Sequence, residues 1–270
     1  MTDRGEPPSE VLFGLHPVTE AIEAGERTID RVLVAREGGG RNLGRLLRAA
    51  RAAGVPVTYL PREILARKVG ARAVHQGVAA VVSAAAYGDA AELCAKAAAD
   101  PLGLLLALDG VDDPRNLGAI LRTAAATGVG GVLLGSGGSG GAVGLTPTVA
   151  KTSAGALEHL PVAREPKLPQ RLAALAGIGF RIVALDPRGV VPWDAENYDR
   201  RVVLVAGGES RGARRGVLDA AHARVSLPVA SGVDSLNVSV AVGVVLYEVL
   251  RQRRGMGGGR PERRKAGSAP

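Results

Sequence analysis

The sequence predicts a two-domain α/β protein whose larger, C-terminal domain is built on a parallel sheet. Three observations point there. Short apolar runs recur along the chain, each bounded by glycine-rich turns and several followed by helical stretches. Some of these runs are apolar throughout rather than alternating, as in strands covered on both faces. Aromatic residues make up only 3 % of the 270 residues. The cores must therefore be made of Ala, Val, Leu and Ile, which suits helices packed on parallel strands. A chain of this length is comfortable for two cores.

Residues 1–10 are polar and read as a disordered start. Residues 11–83 alternate helix and strand: a helix including 19–24, a strand over 31–35, a helix over 43–53 stopped by Gly54, and strands over 55–60 and 78–83. Residues 84–100 are alanine-rich and read as a connecting helix or linker. From Pro101 the texture changes, and a second α/β domain is expected over 101–255, with strands at 104–108, 131–134, 181–185, 202–206 and 225–228. Residues 256–270 form a basic tail expected to be disordered. There is no internal repeat.

Composition narrows the function classes. One cysteine, Cys94, excludes an internal disulfide framework and fits a reducing cytoplasm. The start lacks the basic and apolar regions of a signal peptide, and no run is long and apolar enough to span a membrane. No cluster has metal-ligand spacing, so no metal is expected. The net charge of +8 invites a nucleic-acid partner, but it is concentrated: residues 251–270 hold seven basic side chains against Glu262 alone, six of the eight net charges. Such a tail either aids solubility or touches RNA phosphates.

Three segments of the second domain carry chemistry. The first, 108–124, follows a strand and opens a helix. Leu117, Ile120, Leu121, Ala124 and Ala125 fall on one apolar face, while Arg122 leaves that stripe. Thr127-Gly128 ends the helix, and Asn116 is placed to cap its start. A capped surface helix explains this equally well, unless Asn116 and Arg122 stand at the carboxyl end of a parallel sheet, where ligands bind. The second, 202–214, runs an apolar strand into a turn with Gly207, Gly208 and Gly212 around one carboxylate, Glu209. These glycines let backbone approach a ligand closely. The spacing is not that of the dinucleotide fingerprint, which argues against a nicotinamide-dependent enzyme. The third, 225–243, is strand, Pro/Gly loop and helix. Ser235 is the expected N-cap, and the helix from 236 to 250 is apolar nearly all round, as for a helix buried in a core or subunit interface. Asn237 inside it needs a hydrogen-bond partner.

The order Asn-x-Gly-x-x-x-Arg-Thr-Ala (116–124), strand–Gly-x-Glu (207–209) and Leu-Pro followed by Ser-Leu-Asn-Val-Ser-Val-Ala (235–241) resembles the three motifs of the SpoU/TrmH RNA ribose 2′-O-methyltransferases. Residues 151–161 match a stretch between motifs. Phe13-Gly-Leu-His-Pro-Val and Gln76-Gly-Val-Ala-Ala-Val resemble the ends of that family's substrate-binding domain, giving a two-domain form similar to the RlmB-type 23S rRNA guanosine methyltransferases over 11–254. The family's second motif usually reads Gly-x-Glu-Gly-x-Gly; here Ser210 replaces a glycine.

The resemblance implies an α/β domain of SPOUT type with a C-terminal trefoil knot, and a first domain like RNA-binding ribosomal proteins. It also implies S-adenosylmethionine as cofactor, held around Gly207, Leu227 and Leu236 with Gly208, Gly212 and Leu134 nearby, and a homodimer through the C-terminal helix. Arg122 is the family's activator of the ribose 2′-hydroxyl. Its pKa is too high for an ordinary base, so stabilising a developing alkoxide and gripping a phosphate suit it better. Asn116, Glu209, Ser235 and Asn237 would orient Arg122 and the ribose. In the first domain Arg41, Arg45, Arg48 and Arg51 lie close to one helix face and are candidates for RNA phosphates, with His16, His75 and Gln76 as base contacts or turn residues. Within the same chemistry stand tRNA methylation and antibiotic-resistance rRNA methylation. Outside it stands a non-catalytic RNA-binding factor, which retention of all five site residues argues against.

Overall fold

The computed structural model describes residues 11–25, 28–36, 43–69, 74–83, 85–136, 142–209, 211–232 and 234–254. Arg41, Ser210 and the segments 1–10 and 255–270 lie outside them, and so do the expectations placed on these residues.

The first domain is a four-stranded sheet in the order β1-β4-β2-β3, from β1 (Val11–Phe13), β2 (Ile29–Ala35), β3 (Val57–Leu60) and β4 (Val78–Val82). β4 runs antiparallel to both β1 and β2, and β2 parallel to β3. Alternation along β2 divides two small cores. Val32 and Val34 meet Val18 and Ile22 of α1 (Leu15–Ala24) and Leu46 and Ala50 of α2 (Leu43–Ala52). Leu33 and Ala35 meet Leu65 of α3 (Arg62–Val69) on the opposite face. Strand β1 and helix α3 were not anticipated; three residues are too few to show a period, and α3 buries Leu65 alone.

Residues 84–100 do more than connect. Helix α4 (Ala90–Ala99), capped by Asp89, buries Leu93, Cys94 and Ala97 against the second sheet. That sheet has seven strands in the order β7-β6-β5-β10-β8-β11-β9, and every pairing is parallel. The strands are β5 (Leu104–Asp109), β6 (Gly131–Gly135), β7 (Val162–Arg164), β8 (Arg181–Leu185), β9 (Val191–Pro192), β10 (Val202–Gly207) and β11 (Ala223–Ser226). Period 2 again sorts the core. Leu104, Leu106, Leu108, Val202 and Leu204 point to the face covered by α5 (Pro114–Thr127), α6 (Pro147–Thr152) and α9 (Val238–Arg253). Leu105, Ala107, Val203 and Val205 face α4, α7 (Leu168–Gly177) and α8 (Arg215–Asp219).

From β5 the chain proceeds to β6 on one side, while β10 enters later on the other. The β5/β10 boundary is thus a topological switch point, where the carboxyl ends of parallel strands leave a crevice for ligands. Register brings Asp109 opposite both Gly135 and Gly207, so the two motif-bearing turns after β5 and β10 start from one sheet edge.

Helix α9 corrects two expectations. It runs 238–253 rather than 236–250, and it is not buried all round: Val242, Val245, Leu246 and Val249 enter the core, while Val240 and Tyr247 are about half exposed. Two of the cations assigned to the tail also belong to the fold. Arg251 pairs with the buried Glu248, and Arg253 donates to the carbonyls of Leu102 (2.7 Å), Tyr198 (3.1 Å) and Arg200 (2.7 Å). Among the described residues no helix is long and apolar enough to cross a membrane.

Candidate active site

Helix α5 begins at Pro114, ahead of the expected cap Asn116, and a different residue does the capping. Asp113 is the N-cap and accepts from Arg115 N, with Pro114 in the first turn. Asn116 therefore lies one turn inside the helix, and its side chain is free to reach outward. Its Nδ2 donates to Glu209 Oε1, from the turn after β10. Its Oδ1 accepts from Asn237 Nδ2 at 3.1 Å. Asn237 is the N-cap of α9: its Oδ1 accepts from Ser239 N (2.9 Å) and from the Ser239 hydroxyl (2.6 Å). Ser235, expected in that role, sits exposed two residues earlier. An Asn at the cap supplies the acceptor the first turn needs, which also resolves how this polar residue is satisfied.

The three side chains form a relay, each amide donating toward one end and accepting from the other. Glu209, as a carboxylate, can only accept, and this sets the orientation of both amides. Arg122 stands apart. It is exposed, the described residues give it no hydrogen bond or ion pair, and on an ideal helix it lies about 9 Å along the axis from Asn116 and roughly 120° round. The chain thus joins Asn116, Glu209 and Asn237, and leaves Arg122 and Ser235 facing solvent.

The glycine turn packs closely against its own backbone and that of the β5 turn. A Cβ on Gly207 would lie 1.9 Å from the Ala213 nitrogen, and one on Gly208 would lie 2.0 Å from the Gly110 carbonyl oxygen. Both glycines therefore serve backbone against backbone, closing the β10 turn onto itself and onto the β5 turn. Gly212 differs: its φ is +66°, and nothing lies within 4 Å of its Cβ position. Sequence reasoning missed the pair that holds the two turns together. Asp109, fully buried at the end of β5, accepts from Arg214 N (2.8 Å) and Nε (2.9 and 3.0 Å to its two oxygens), and Arg214 Nη2 lies 2.7 Å from Oδ1. A lone Asp closing an apolar strand was the available signal.

Beyond β11 the chain loses regular structure. Among the described residues, 227–232 and 234–236 make no backbone–backbone hydrogen bond. Leu227 is half-buried, and Leu236 is 39 % exposed. Leu134 is buried in β6, and its carbonyl accepts from Glu165 N.

The comparisons with known proteins agree with this geometry. Residues 103–247 match the model of the SpoU rRNA Methylase family, and residues 11–88 match the RNA 2′-O ribose methyltransferase substrate-binding family. The chain belongs to the SpoU rRNA methylase family. It is an RNA ribose methyltransferase. A Mycobacterium avium protein described as an uncharacterised tRNA/rRNA methyltransferase is 39 % identical over 248 residues, 92 % of this chain and 79 % of the relative. A Staphylococcus aureus protein provisionally assigned as a TrmH family tRNA/rRNA methyltransferase is 36 % identical over 92 % of this chain and 98 % of its own length. Among solved structures, the SpoU methyltransferase AviRb from Streptomyces viridochromogenes, in complex with AdoMet, superposes with a TM-score of 0.56 at 25 % identity over 90 % of both chains. A TrmH/SpoU tRNA modifying enzyme from A. aeolicus superposes with a TM-score of 0.52 at 27 % identity, over 62 % of this chain and 83 % of that one.

In the substrate-binding domain of this SpoU protein the candidate RNA contacts divide. His75 is buried, and its Nδ1 accepts from Gly77 N at 3.1 Å. Gln76 adopts φ +51°, and its Oε1 accepts from Leu15 N at the start of α1. Both shape the turn before β4, the second of the two roles the sequence left open. His16 is exposed beside Glu20 (3.0 Å). Arg45 pairs with Glu23 of α1 (Nε–Oε1 3.0 Å, Nη2–Oε2 2.6 Å), and this bond holds the Glu23 carboxyl below its ordinary pKa. Arg48 and Arg51 remain exposed on α2.

Proposed function

We propose that this SpoU protein methylates the ribose 2′-hydroxyl of a guanosine in bacterial 23S rRNA with AdoMet, acting as a homodimer through α9. The observation that carries the reading is the Asn116–Glu209–Asn237 relay, which gathers one side chain from each motif at the ligand-binding edge of the sheet.

The residues present fit an AdoMet molecule. The 227–236 loop shows no backbone–backbone hydrogen bond among its described residues and carries the apolar Leu227 and Leu236, as suits an adenine-bearing ligand with both polar edges and apolar faces. Bound there, the cofactor supplies a methyl group on a sulfonium. Transfer of that methyl to O2′ would leave S-adenosylhomocysteine, with the hydroxyl proton passing to solvent water. What this chain contributes is alignment and charge. The relay holds the motif turns in one geometry. Arg122, unpaired within the described residues, is available to RNA phosphate and to the negative charge developing on O2′. Threading of the C-terminal segment into a trefoil knot is part of this proposal.

The homodimer is supported by the uncovered side of α9. Val240, Gly243, Val244 and Tyr247, with Thr123 and Trp193, line a shallow groove of about 570 Å³. Methylation of a tRNA is the second reading, favoured by relatives whose names include tRNA. The substrate-binding domain at 11–88 and the exposed Arg48 and Arg51 support the larger RNA.

The deciding experiment is methylation of unmodified bacterial 23S rRNA and bulk tRNA with labelled AdoMet, followed by mapping of 2′-O-methyl positions. One labelled guanosine in 23S rRNA is expected. Label confined to tRNA or to another nucleotide overturns the target and keeps the chemistry.

A further inference from the structure

The two domains meet through a polar cluster. Asp30, in β2 of the first domain, is 4 % exposed. Its Oδ1 accepts from three groups outside that domain's sheet: the Tyr87 hydroxyl in the connecting segment, Leu145 N at 3.0 Å, and Arg164 Nη2 of β7 at 3.0 Å. Arg164 also donates to the Ile29 carbonyl at 2.6 Å and lies over the Tyr87 ring, 4.0 Å from its centroid. Beside it, Arg31 donates to the Ala142 carbonyl. Gly144 makes the approach possible, because a Cβ there would lie 2.1 Å from Asp30 Oδ1.

A buried carboxylate destabilises a protein unless donors surround it. Here the donors come from the connecting segment and from two segments of the second domain, and all meet Oδ1, while Oδ2 is buried without a hydrogen-bond partner among the described residues. Their directions fix one docking geometry, whereas an apolar seam tolerates sliding. The contact also leads toward chemistry. Segment 142–145 touches the motif turn directly: Val143 N donates to the Val111 carbonyl at 2.9 Å. Val111 lies two residues before Asp113, the cap of α5, which carries Asn116. Leu145 is fully buried in the core that holds Val111 and Leu117. Asp30 is therefore joined, through one short segment, to the turn that sets the relay.

We propose that Asp30 is a positioning residue: it locks the RNA-binding domain against the methyl-transfer domain in one orientation, so that an RNA held by the first presents its ribose at the second. This rests on the RNA methyltransferase reading above. Its substrates are RNAs long enough to touch both domains, and Asp30 touches neither substrate nor cofactor. Loss of the lock misplaces the ribose without altering the cofactor loop, and a misplacement of about 1 Å costs on the order of 100-fold in rate.

The test uses the full chain with two independent readouts. For orientation, spin labels are placed at Glu63→Cys in α3 and Arg188→Cys after β8, both exposed, in a Cys94→Ser background. A single narrow distance is expected, broadened or shifted by Asp30→Ala and largely restored by Asp30→Asn, which keeps an acceptor oxygen. For function, kcat/KM on 23S rRNA should fall roughly 10- to 100-fold in Asp30→Ala, less in Tyr87→Phe, with AdoMet affinity unchanged. An unaltered distance distribution in Asp30→Ala overturns the lock. An altered distribution with unaltered kcat/KM, or an equal loss of AdoMet affinity, overturns the positioning role. Absence of methylation in the unsubstituted chain instead counts against the rRNA reading, and the spin-label distances then decide the lock alone.

Discussion

Asp109 and Arg214, 105 residues apart, close the switch point of the second sheet: the Asp109 carboxylate receives both the backbone and the guanidinium of Arg214. The pair fastens the turn after β10 to the end of β5, so the Glu209 turn and the Asn116 helix keep their spacing. Arg214→Ala leaves a fully buried carboxylate without its cation. A loss of about 3 kcal/mol is expected, toward the low end for a broken buried pair because Arg214 is 37 % exposed. Chemical denaturation measures it, and AdoMet titration should show weakened binding, partly recovered in Arg214→Lys.

Arg122→Ala should behave in the opposite way. Arg122 makes no hydrogen bond or ion pair among the described residues, so the melting temperature and AdoMet affinity should stay near those of the parent. Turnover should fall by about 10²- to 10³-fold, the scale for removing a group that stabilises transition-state charge. Single-turnover methylation measures it, and substantial turnover in the variant removes the residue from the mechanism.

Gly207→Ala tests the reading that this glycine serves loop closure. The added methyl would lie 1.9 Å from the Ala213 nitrogen, a backbone atom with no rotamer to change. The turn must open, by about 1–3 kcal/mol of overpacking, and the Asn116–Glu209 bond should be lost with it. Calorimetric titration should find AdoMet binding abolished. Gly212→Ala, with open space but φ +66°, should give a milder loss.

Glu248 links stability to pH. Its side chain is buried, and hydrogen bonds from Arg251 (2.6 Å to each oxygen) and Gln252 (2.8 Å) hold its pKa below the usual carboxylate value of 4.5. A depressed folded-state pKa gives stability that is full above the unfolded pKa and lost as pH falls through the folded value. Glu248→Gln should therefore lower the melting temperature at pH 7. The difference from the parent should shrink as pH drops below about 4.5. A gap that stays constant from pH 7 to pH 3 would sink the assignment.

Much of the fold was legible because it rests on local patterns. The apolar run at 104–108 is a central strand, and its alternation divides the two layers. The α5 stripe, its stop at Gly128 and the exposure of Arg122 follow from helical period. Helix caps were less legible. Asp113 and Asn116 are both good capping residues, as are Ser235 and Asn237, and the choice depends on which side chain has a partner elsewhere. His75 and Gln76 read as base contacts or as turn residues, and only the fold shows their turn contacts.

The sequence by itself determined the α/β class, the strand cores, the motif residues and the family they belong to. Tertiary structure alone decided that Asn116 joins Glu209 and Asn237 while Arg122 stands apart, that Gly207 and Gly208 serve backbone packing, that Asp109 requires Arg214, and that Asp30 reaches across to Leu145 and Arg164. The physical reason is range. Periodicity and capping act within a few residues, whereas the hydrogen-bonded side-chain pairs among these lie 93 to 134 residues apart, and only strand order and register bring them together.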